Sequence, residues 1–235
     1  MKYKRVLLKL SGESIGGSDG YGIDQERLSY YAHEIHNAVS VGVQVAVVVG
    51  GGNIFRGLEG TGKGFDRVKG DQMGMLATII NSIGLSVFLK KMGVDAEVFS
   101  STPAEPYARY YNRDAAVEIL NRGGVSIIAG GTGNPFFTTD SASALRAAET
   151  GAGALLKGTR VDGVYSADPE KDPKAVKYPR LSFEKVLDDN LRIMDQTAFT
   201  ICRENRIPIV VFDVNKKGNL LRVLNGEEIG SVVCD

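Results

Sequence analysis

The sequence has no net charge and few of the residues that mark specialised classes of protein. It contains 28 basic and 28 acidic residues, so no global field draws it to nucleic acid or to an anionic membrane. Its only cysteines, Cys202 and Cys234, lack zinc-ligand spacing, which argues against a disulfide scaffold or a zinc site and suits a reducing compartment. No segment approaches the roughly 20 apolar residues of a membrane span. We therefore expect a cytoplasmic protein with neither a membrane nor a nucleic-acid partner.

Motifs of several common enzyme classes are also missing. His33 and His36 are the only histidines. Their spacing could bind a metal, but the sequence offers no third metal ligand near them, so they are interpreted as ordinary helix residues. No Gly-x-Gly-x-x-Gly follows a strand pattern, which disfavours a dinucleotide-binding dehydrogenase. Residues 57–64 nearly fit a P-loop, but Gly64 stands where Ser or Thr is required. We interpret that stretch as a surface loop, and a P-loop kinase architecture is not expected.

Strand and helix patterns alternate along the chain. Residues 45–49 form a run rich in β-branched residues and without polar alternation, typical of a parallel strand covered on both faces. Short connections between such units predict an α/β fold, with a mostly parallel central sheet sandwiched between helices, in one domain over residues 1–235. Strands are predicted at 3–10, 43–49, 94–99, 125–129, 154–157, 207–212 and 231–234, and helices at 24–41, 66–92, 113–121, 140–150, 198–205 and 219–225.

Glycines and lysines fall where these parallel strands end. Gly50, Gly51 and Gly52 follow the second strand, where missing Cβ atoms permit positive φ and close approach of a ligand. Their N–H groups can form a nest for an anion, and Arg56 adds a positive charge. Lys9 ends the first strand, and Lys157 ends the strand at 154–157. Ligands of parallel sheets bind at the carboxyl ends of the strands, so these residues predict a phosphate site there.

A second glycine-rich stretch, residues 129–140, leads from a buried strand into a helix. Its glycines open the backbone, and Thr138, Thr139 and Asp140 lie where a helix start presents free N–H groups. Asp140 alone could be a simple N-cap, but the whole stretch is more than a connection requires. Lysines, glycine turns and an aspartate at one edge favour phosphoryl transfer, which depends on positioning and fixed positive charge.

Together these stretches resemble the bacterial uridylate kinase family of the amino-acid kinase superfamily, in the same order over essentially the whole chain. Lysines and glycine turns alone would indicate only the superfamily. Asp71 and residues 132–140 narrow the resemblance to its members that phosphorylate UMP. The motifs are Lys9-Leu-Ser-Gly, Gly50-Gly-Gly-Asn-Ile-Phe-Arg-Gly, Gly70-Asp-Gln-Met-Gly-Met-Leu-Ala-Thr, Thr132-Gly-Asn-Pro-Phe-Phe-Thr-Thr-Asp-Ser and Lys157-Gly-Thr-Arg-Val-Asp-Gly-Val-Tyr-Ser-Ala-Asp-Pro.

The resemblance implies transfer of a phosphoryl group from ATP to UMP in pyrimidine nucleotide synthesis. Lys9 and Lys157 would stabilise the transferring group, and Asp140 would orient them. The implied ATP-binding residues are Lys9, Leu10, Ser11, Gly12, Gly52, Arg56, Thr159, Tyr165 and Asp168. The implied UMP-binding residues are Gly51, Asp71, Thr132, Gly133, Asn134, Pro135, Phe136, Phe137, Thr138 and Thr139, with Asp71 on the ribose hydroxyls.

The resemblance also implies a homohexamer that GTP activates and UTP inhibits. Magnesium would accompany ATP, with no protein side chain assigned as its ligand. The implied GTP-response loop is Gly17, Ser18, Asp19, Gly20, Tyr21 and Gly22. Residues 102–113 fit no pattern, and their role stays open. Two alternatives also stay open: a kinase of the same superfamily acting on a carboxylate or carbamate, and a nucleotide-sensing regulatory protein without turnover.

Overall fold

The structure is a computed structural model that describes residues 1–17, 20–55, 64, 66–191 and 193–235. Its strands are β1 (Arg5–Leu10), β2 (Gln44–Val49), β3 (Ala96–Ser100), β4 (Arg109–Tyr110), β5 (Val125–Ala129), β6 (Leu155–Thr159), β7 (Val164–Tyr165), β8 (Lys177–Tyr178), β9 (Arg180–Leu181), β10 (Ile209–Asp213) and β11 (Ser231–Val233). Its α-helices are α1 (Gln25–Ser40), α2 (Arg67–Lys91), α3 (Arg113–Asn121), α4 (Thr139–Thr150), α5 (Phe183–Asp188), α6 (Gln196–Glu204) and α7 (Asn219–Asn225).

Within the described residues, nine strands form one sheet in the order β4-β3-β5-β2-β1-β6-β10-β11-β9. Every neighbouring pair is parallel except β10 and β11. β7 and β8 pair separately as an antiparallel hairpin. The predicted strands and helices are all present, with ends that differ from the prediction by at most two residues. The expected α/β fold with a mostly parallel central sheet is therefore confirmed.

Helices cover both faces of the sheet because its central strands are apolar on both sides. In β1, Leu8 packs on the face covered by α1, α2 and α7, whereas Leu7 packs on the face covered by α4, α5 and α6. Successive residues of a strand point to opposite faces, so each strand contributes to two cores. This explains the continuous apolar run in β2, where Val45 to Val49 are all buried.

A crevice opens between β2 and β5 at their carboxyl ends. These neighbouring parallel strands continue into helices on opposite faces, β2 into α2 and β5 into α4. Connections that leave adjacent strands in opposite directions cannot fill the space between them, and this is where open α/β sheets bind ligands. The two predicted glycine-rich stretches flank this crevice.

Helix α2 corrects one expectation from the sequence. By length and composition it could cross a membrane, although no segment was expected to reach that length. Half of its most apolar window is buried in the protein, and the helix packs against α1, β3 and β5. The buried half is the inner face of a core helix, whereas Leu76, Ile80 and Val87 are exposed on its outer face.

Candidate active site

Two lysines and one aspartate form the centre of the site. Lys9 and Lys157 are register partners on the neighbouring parallel strands β1 and β6, so both side chains leave the sheet on the same face. Asp140, in the first turn of α4, lies between them, with its Oδ1 3.0 Å from Lys9 Nζ and its Oδ2 2.8 Å from Lys157 Nζ. Lys157 Nζ also donates to the carbonyl of Ile193. The structure therefore brings together the three residues predicted to carry the chemistry.

The charges in this cluster depend on one another. Burial by itself would raise the pKa of Asp140, but the charges of Lys9 and Lys157 outweigh burial and hold that pKa below its ordinary value. Burial lowers the pKa of Lys157, and the charge of Asp140 opposes this effect. A carboxylate and two ammonium groups leave a positive excess, which suits an anionic group bound beside them.

Asp140 is available to the lysines because another residue caps α4. The N-cap is Thr138, whose Oγ1 accepts hydrogen bonds from the N–H groups of Asp140 at 3.0 Å and Ser141 at 3.3 Å. The interpretation of Asp140 as a simple N-cap is therefore wrong. Thr138 is itself held by Asp195, whose Oδ2 accepts from the hydroxyls of Thr138 and Ser141 and whose Oδ1 caps α6.

The crevice between β2 and β5 holds a cavity of about 390 Å³ beside α2. Its walls come from the turn after β2, the first turns of α2 and the loop between β5 and α4. Of the ten residues predicted to bind UMP, Gly133, Pro135 and Phe136 are not in its wall. The other seven line it: Gly51, Asp71, Thr132, Asn134, Phe137, Thr138 and Thr139.

Asp71 connects α2 to the loop after β5. Its Oδ2 accepts from Arg67 Nε and from the main-chain N–H of Phe136, each at 2.8 Å. Phe136 has a φ of 72°, a left-handed conformation that is uncommon for a bulky residue, and the Arg67 guanidinium lies 5.6 Å from its ring centre. These contacts hold the Phe136 peptide in place and bring a positive charge to the wall of the cavity.

The positive φ expected of the glycines after β2 is absent from Gly50 and Gly51, which are needed for another reason as well. A Cβ on Gly51 would lie 2.7 Å from the carbonyl oxygen of Gly74 in α2, and a Cβ on Gly12 would lie 2.6 Å from the N atom of Gly52. Close packing of the β1 turn, the β2 turn and α2 therefore requires these glycines. Positive φ is instead found after β5, at Gly130, Gly131 and Gly133.

A second cavity, of about 610 Å³, lies at the carboxyl end of β6. Thr159, Tyr165 and Asp168, which were predicted to bind ATP, line it together with Lys157. Gly52 instead faces the first cavity. Lys9, Ser11 and Gly12 lie at the end of β1, between β2 and β6. Leu10, also predicted to bind ATP, is fully buried, and its carbonyl accepts from Gly50 N–H at 2.9 Å. The predicted Arg56 and the near-P-loop at 57–63 lie outside the described residues.

The predicted GTP-response loop is tied to the turn after β2. Gly22 N–H donates to the Asn53 carbonyl at 2.8 Å, and Asn53 Nδ2 donates to the Gly22 carbonyl at 2.6 Å. Gly17, Gly20 and Gly22 have positive φ, and Tyr21 is exposed. Ser18 and Asp19, which complete the predicted loop, lie outside the described residues.

Sequence reasoning missed three residues of this region. Arg67 and Thr78 line the first cavity, and Thr78 Oγ1 accepts from Gly130 N–H at 2.8 Å. Asp195 could have been identified as an N-cap from its place before a helix pattern, but nothing local pointed to Thr138. Thr78 and Asp195 have partners distant in the chain, so only the fold shows those contacts. Arg67 pairs with Asp71 four residues on, a helical spacing that the sequence does contain.

Comparisons with known proteins agree with this geometry. A family model described as the amino acid kinase family matches residues 4–213. Uridylate kinases of Parabacteroides distasonis and Porphyromonas gingivalis are 55% and 57% identical, and each alignment covers 99% of this chain and 98% of the relative. The solved UMP kinase from Bacillus anthracis has a TM-score of 0.96 at 38% identity, covering 100% of this chain and 97% of that chain. For the UMP kinase from Ureaplasma parvum the TM-score is 0.94 at 35% identity, with both chains fully covered.

The chain belongs to the amino acid kinase family, because the family model spans most of its length and includes β1 to β10. Within that family, its similar relatives are uridylate kinases, aligned over nearly the whole of both chains. The resemblance inferred from the motifs is therefore confirmed.

We predict that Asp140→Asn destabilises the protein by about 3 kcal/mol at neutral pH, because it leaves two largely buried ammonium groups without their carboxylate. The folded-state pKa of Asp140 is lowered, so its stabilisation is present above the unfolded pKa of about 3.9 and is lost as pH falls through the folded value. The difference from wild type should shrink below about pH 4 in denaturant titrations at several pH values. Asp114→Asn, at an exposed ion pair with Arg113, is the control and should change stability by less than about 1 kcal/mol. Equal effects of the two substitutions would contradict the prediction.

Proposed function

We propose that this protein transfers the γ-phosphoryl group of ATP to UMP, giving UDP and ADP for pyrimidine nucleotide synthesis. The observation that carries the proposal is the position of the Lys9–Asp140–Lys157 cluster. Asp140 directly follows Thr138 and Thr139 in the wall of the first cavity, and its partner Lys157 belongs to the wall of the second. An acceptor in one cavity and a donor in the other would therefore meet at the positive charges. Similarity to uridylate kinases over the whole chain shows the enzyme class, a UMP kinase.

The proposed roles of the residues follow from this arrangement. UMP would occupy the first cavity, with Asp71 and the loop of residues 132–139 around it, and the adenosine of ATP would occupy the second, beside Tyr165 and Asp168. Lys9 and Lys157 would bind the equatorial oxygens of the transferring group, where negative charge spreads in the transition state. Holding both reactants in line can supply about 7–11 kcal/mol of the barrier reduction. Residues 1–235 would act as one amino-acid kinase domain.

Magnesium would enter the site on the phosphates of ATP. Across the described residues, no group of three or more His, Cys, Asp or Glu side chains could hold a metal ion, and the Asp140 carboxylate is engaged by two lysines. This donor set fits a metal carried by its substrate, with the phosphates held by Lys9 and the turn at Ser11 and Gly12. When bound, the ion neutralises charge on the phosphates.

The acceptor is tested by measuring ADP release with magnesium and ATP over UMP, CMP, dUMP, acetylglutamate, aspartate and carbamate. We expect turnover with UMP and none with the three non-nucleotides. The first cavity has room for the ribose and base of a nucleotide and offers hydrogen-bonding groups to them. Turnover with only a non-nucleotide would contradict the assignment, and nucleotide binding without any turnover would favour a sensing protein.

We predict that Lys9→Ala and Lys157→Ala each lower kcat by about 10²–10³-fold, because each removes a fixed charge from the transferring group. Steady-state rates with saturating ATP and UMP provide the measurement. Lys4→Ala is the matched control. Lys4 is exposed and precedes β1, so it lies at the amino end of the strand that carries Lys9 at its carboxyl end. Rates within a few-fold of wild type for both site variants would refute the mechanism.

GTP activation and UTP inhibition are proposed for the same enzyme. The two hydrogen bonds between Gly22 and Asn53 support this proposal, because they join the loop at residues 17–22 to the turn after β2 that borders the acceptor cavity. Repeating the UMP assay with each nucleotide added gives the sign of both effects, and a rate that neither nucleotide changes would contradict regulation.

A cytoplasmic location is also proposed, and the free thiols of Cys202 and Cys234 suit its reducing conditions.

A homohexamer is proposed from the resemblance and from the outer face of α2. Leu76, Ile80 and Val87 lie on one side of this helix and are 57%, 47% and 44% exposed. An apolar stripe of this kind suits contact with a second copy of the chain. We predict that light scattering gives the mass of six chains for the wild type and a smaller mass for Ile80→Glu. Val41→Glu, at an exposed apolar residue after α1, should leave the mass unchanged. A monomeric wild type would refute this assembly.

A further inference from the structure

A buried arginine lies behind the loop that lines the acceptor cavity. Arg146 belongs to α4, the helix that begins beside Asp140, and is only 5% exposed. Its Nη1 donates to Glu149 Oε2 at 2.6 Å, and its guanidinium lies 4.0 Å from the centre of the Tyr111 ring. The Tyr111 hydroxyl donates to the same carboxylate oxygen at 2.8 Å. Because the Glu149 side chain is 33% exposed, the ion pair is only partly buried, and solvent screening limits what it adds to stability.

The other branch of Arg146 reaches the acceptor loop through one serine. Arg146 Nη2 donates to Ser101 Oγ at 2.8 Å, and Ser101 Oγ donates in turn to the carbonyl of Gly131 at 2.8 Å. The loop also packs directly on Ser101, since a Cβ on Gly133 would lie 2.8 Å from the Ser101 carbonyl oxygen. The arginine thereby orients the serine hydroxyl, and the hydroxyl orients a peptide in the cavity wall.

Gly131 needs such a restraint. It has a φ of 60° and lines the acceptor cavity, and a glycine has more conformational freedom to lose on ordering than any other residue. The Ala129–Gly130 peptide is fixed by α2, where Thr78 Oγ1 accepts from Gly130 N–H. The loop is thus held between α2 and α4, with Ser101 as the link to α4.

We propose that Arg146 is a positioning residue for the acceptor: acting through Ser101, it fixes the Gly131 peptide in the wall of the first cavity and so sets the affinity for UMP. The inference rests on the proposed function of that cavity. It also gives a role to part of the segment 102–113, because Tyr111 packs against the guanidinium and binds its carboxylate partner.

The experiment compares wild type, Ser101→Ala, Arg146→Gln and the double variant. We measure the dissociation constant of UMP by calorimetry without ATP, then kcat and both KM values. Each single variant should weaken UMP binding and raise the KM for UMP about 3- to 10-fold, the effect of one lost hydrogen bond. The KM for ATP should stay within about twofold. The two residues act in series, so losing both should cost no more than losing one. The double variant should therefore bind UMP as tightly as the single variant with the lower affinity.

Ser126→Ala is the matched control. The Ser126 hydroxyl is buried and donates to the Ala116 carbonyl at 2.7 Å, the same kind of bond as that of Ser101, but it lies within β5 away from the loop. This control should lower the melting temperature as Ser101→Ala does and leave UMP binding unchanged. Arg146→Lys, which keeps the charge, should bind UMP with an affinity between those of wild type and Arg146→Gln.

Three results would overturn the inference: unchanged UMP binding in Ser101→Ala, equal weakening in Ser126→Ala, or multiplied effects in the double variant. A wild-type protein that neither binds nor phosphorylates UMP would refute the proposed function, and this inference with it. Wild-type turnover of UMP combined with any of the three results would refute this inference alone.

Discussion

The site depends on a single carboxylate between two ammonium groups. The register of β1 and β6 places Lys9 and Lys157 side by side, an arrangement that repulsion and burial would oppose. Asp140 makes it possible by contacting both, and the lysine charges in turn keep its pKa low. Because one negative charge faces two positive ones, these three side chains remain complementary to an anion. The same interaction therefore stabilises the lysine pair and prepares the site for a phosphoryl group.

Helix α4 is the element that joins the parts of this site. Its cap, Thr138, lines the acceptor cavity, its first turn carries Asp140, and Arg146 lies two turns further on. A rigid helix keeps these groups in fixed relation, which a loop could not do. The helix has little bulk on its buried side, where Ala144 and Ala147 pack among the core residues, so it lies close to the sheet. Close approach allows the short Asp140 carboxylate to reach both lysines.

Glycine has two distinct physical uses around the acceptor cavity. After β2 it allows backbone segments to touch, since a Cβ on Gly51 would collide with the carbonyl of Gly74. After β5 it allows left-handed conformations, at Gly130, Gly131 and Gly133. The second use leaves freedom that must be removed by other contacts, and Thr78 and Ser101 supply them. Sequence composition alone gives both turns the same appearance.

The sequence by itself determined the alternation of strands and helices, the lysines at the ends of β1 and β6 and the membership of the family. Burial on one or two faces leaves a local periodicity of apolar residues, which reveals the strands and helices. The family motifs are contiguous in the sequence, so they can be identified without the fold. The two-residue strands β4, β7, β8 and β9 and the short helix α5 were not predicted, since such segments are too short to show a period. Only the tertiary structure decided which side chains meet. The Thr138–Asp195 contact joins residues 57 positions apart, and Ser101 and Arg146 are 45 positions apart. Partners at such separations are chosen by the packing of whole elements, which no local pattern encodes.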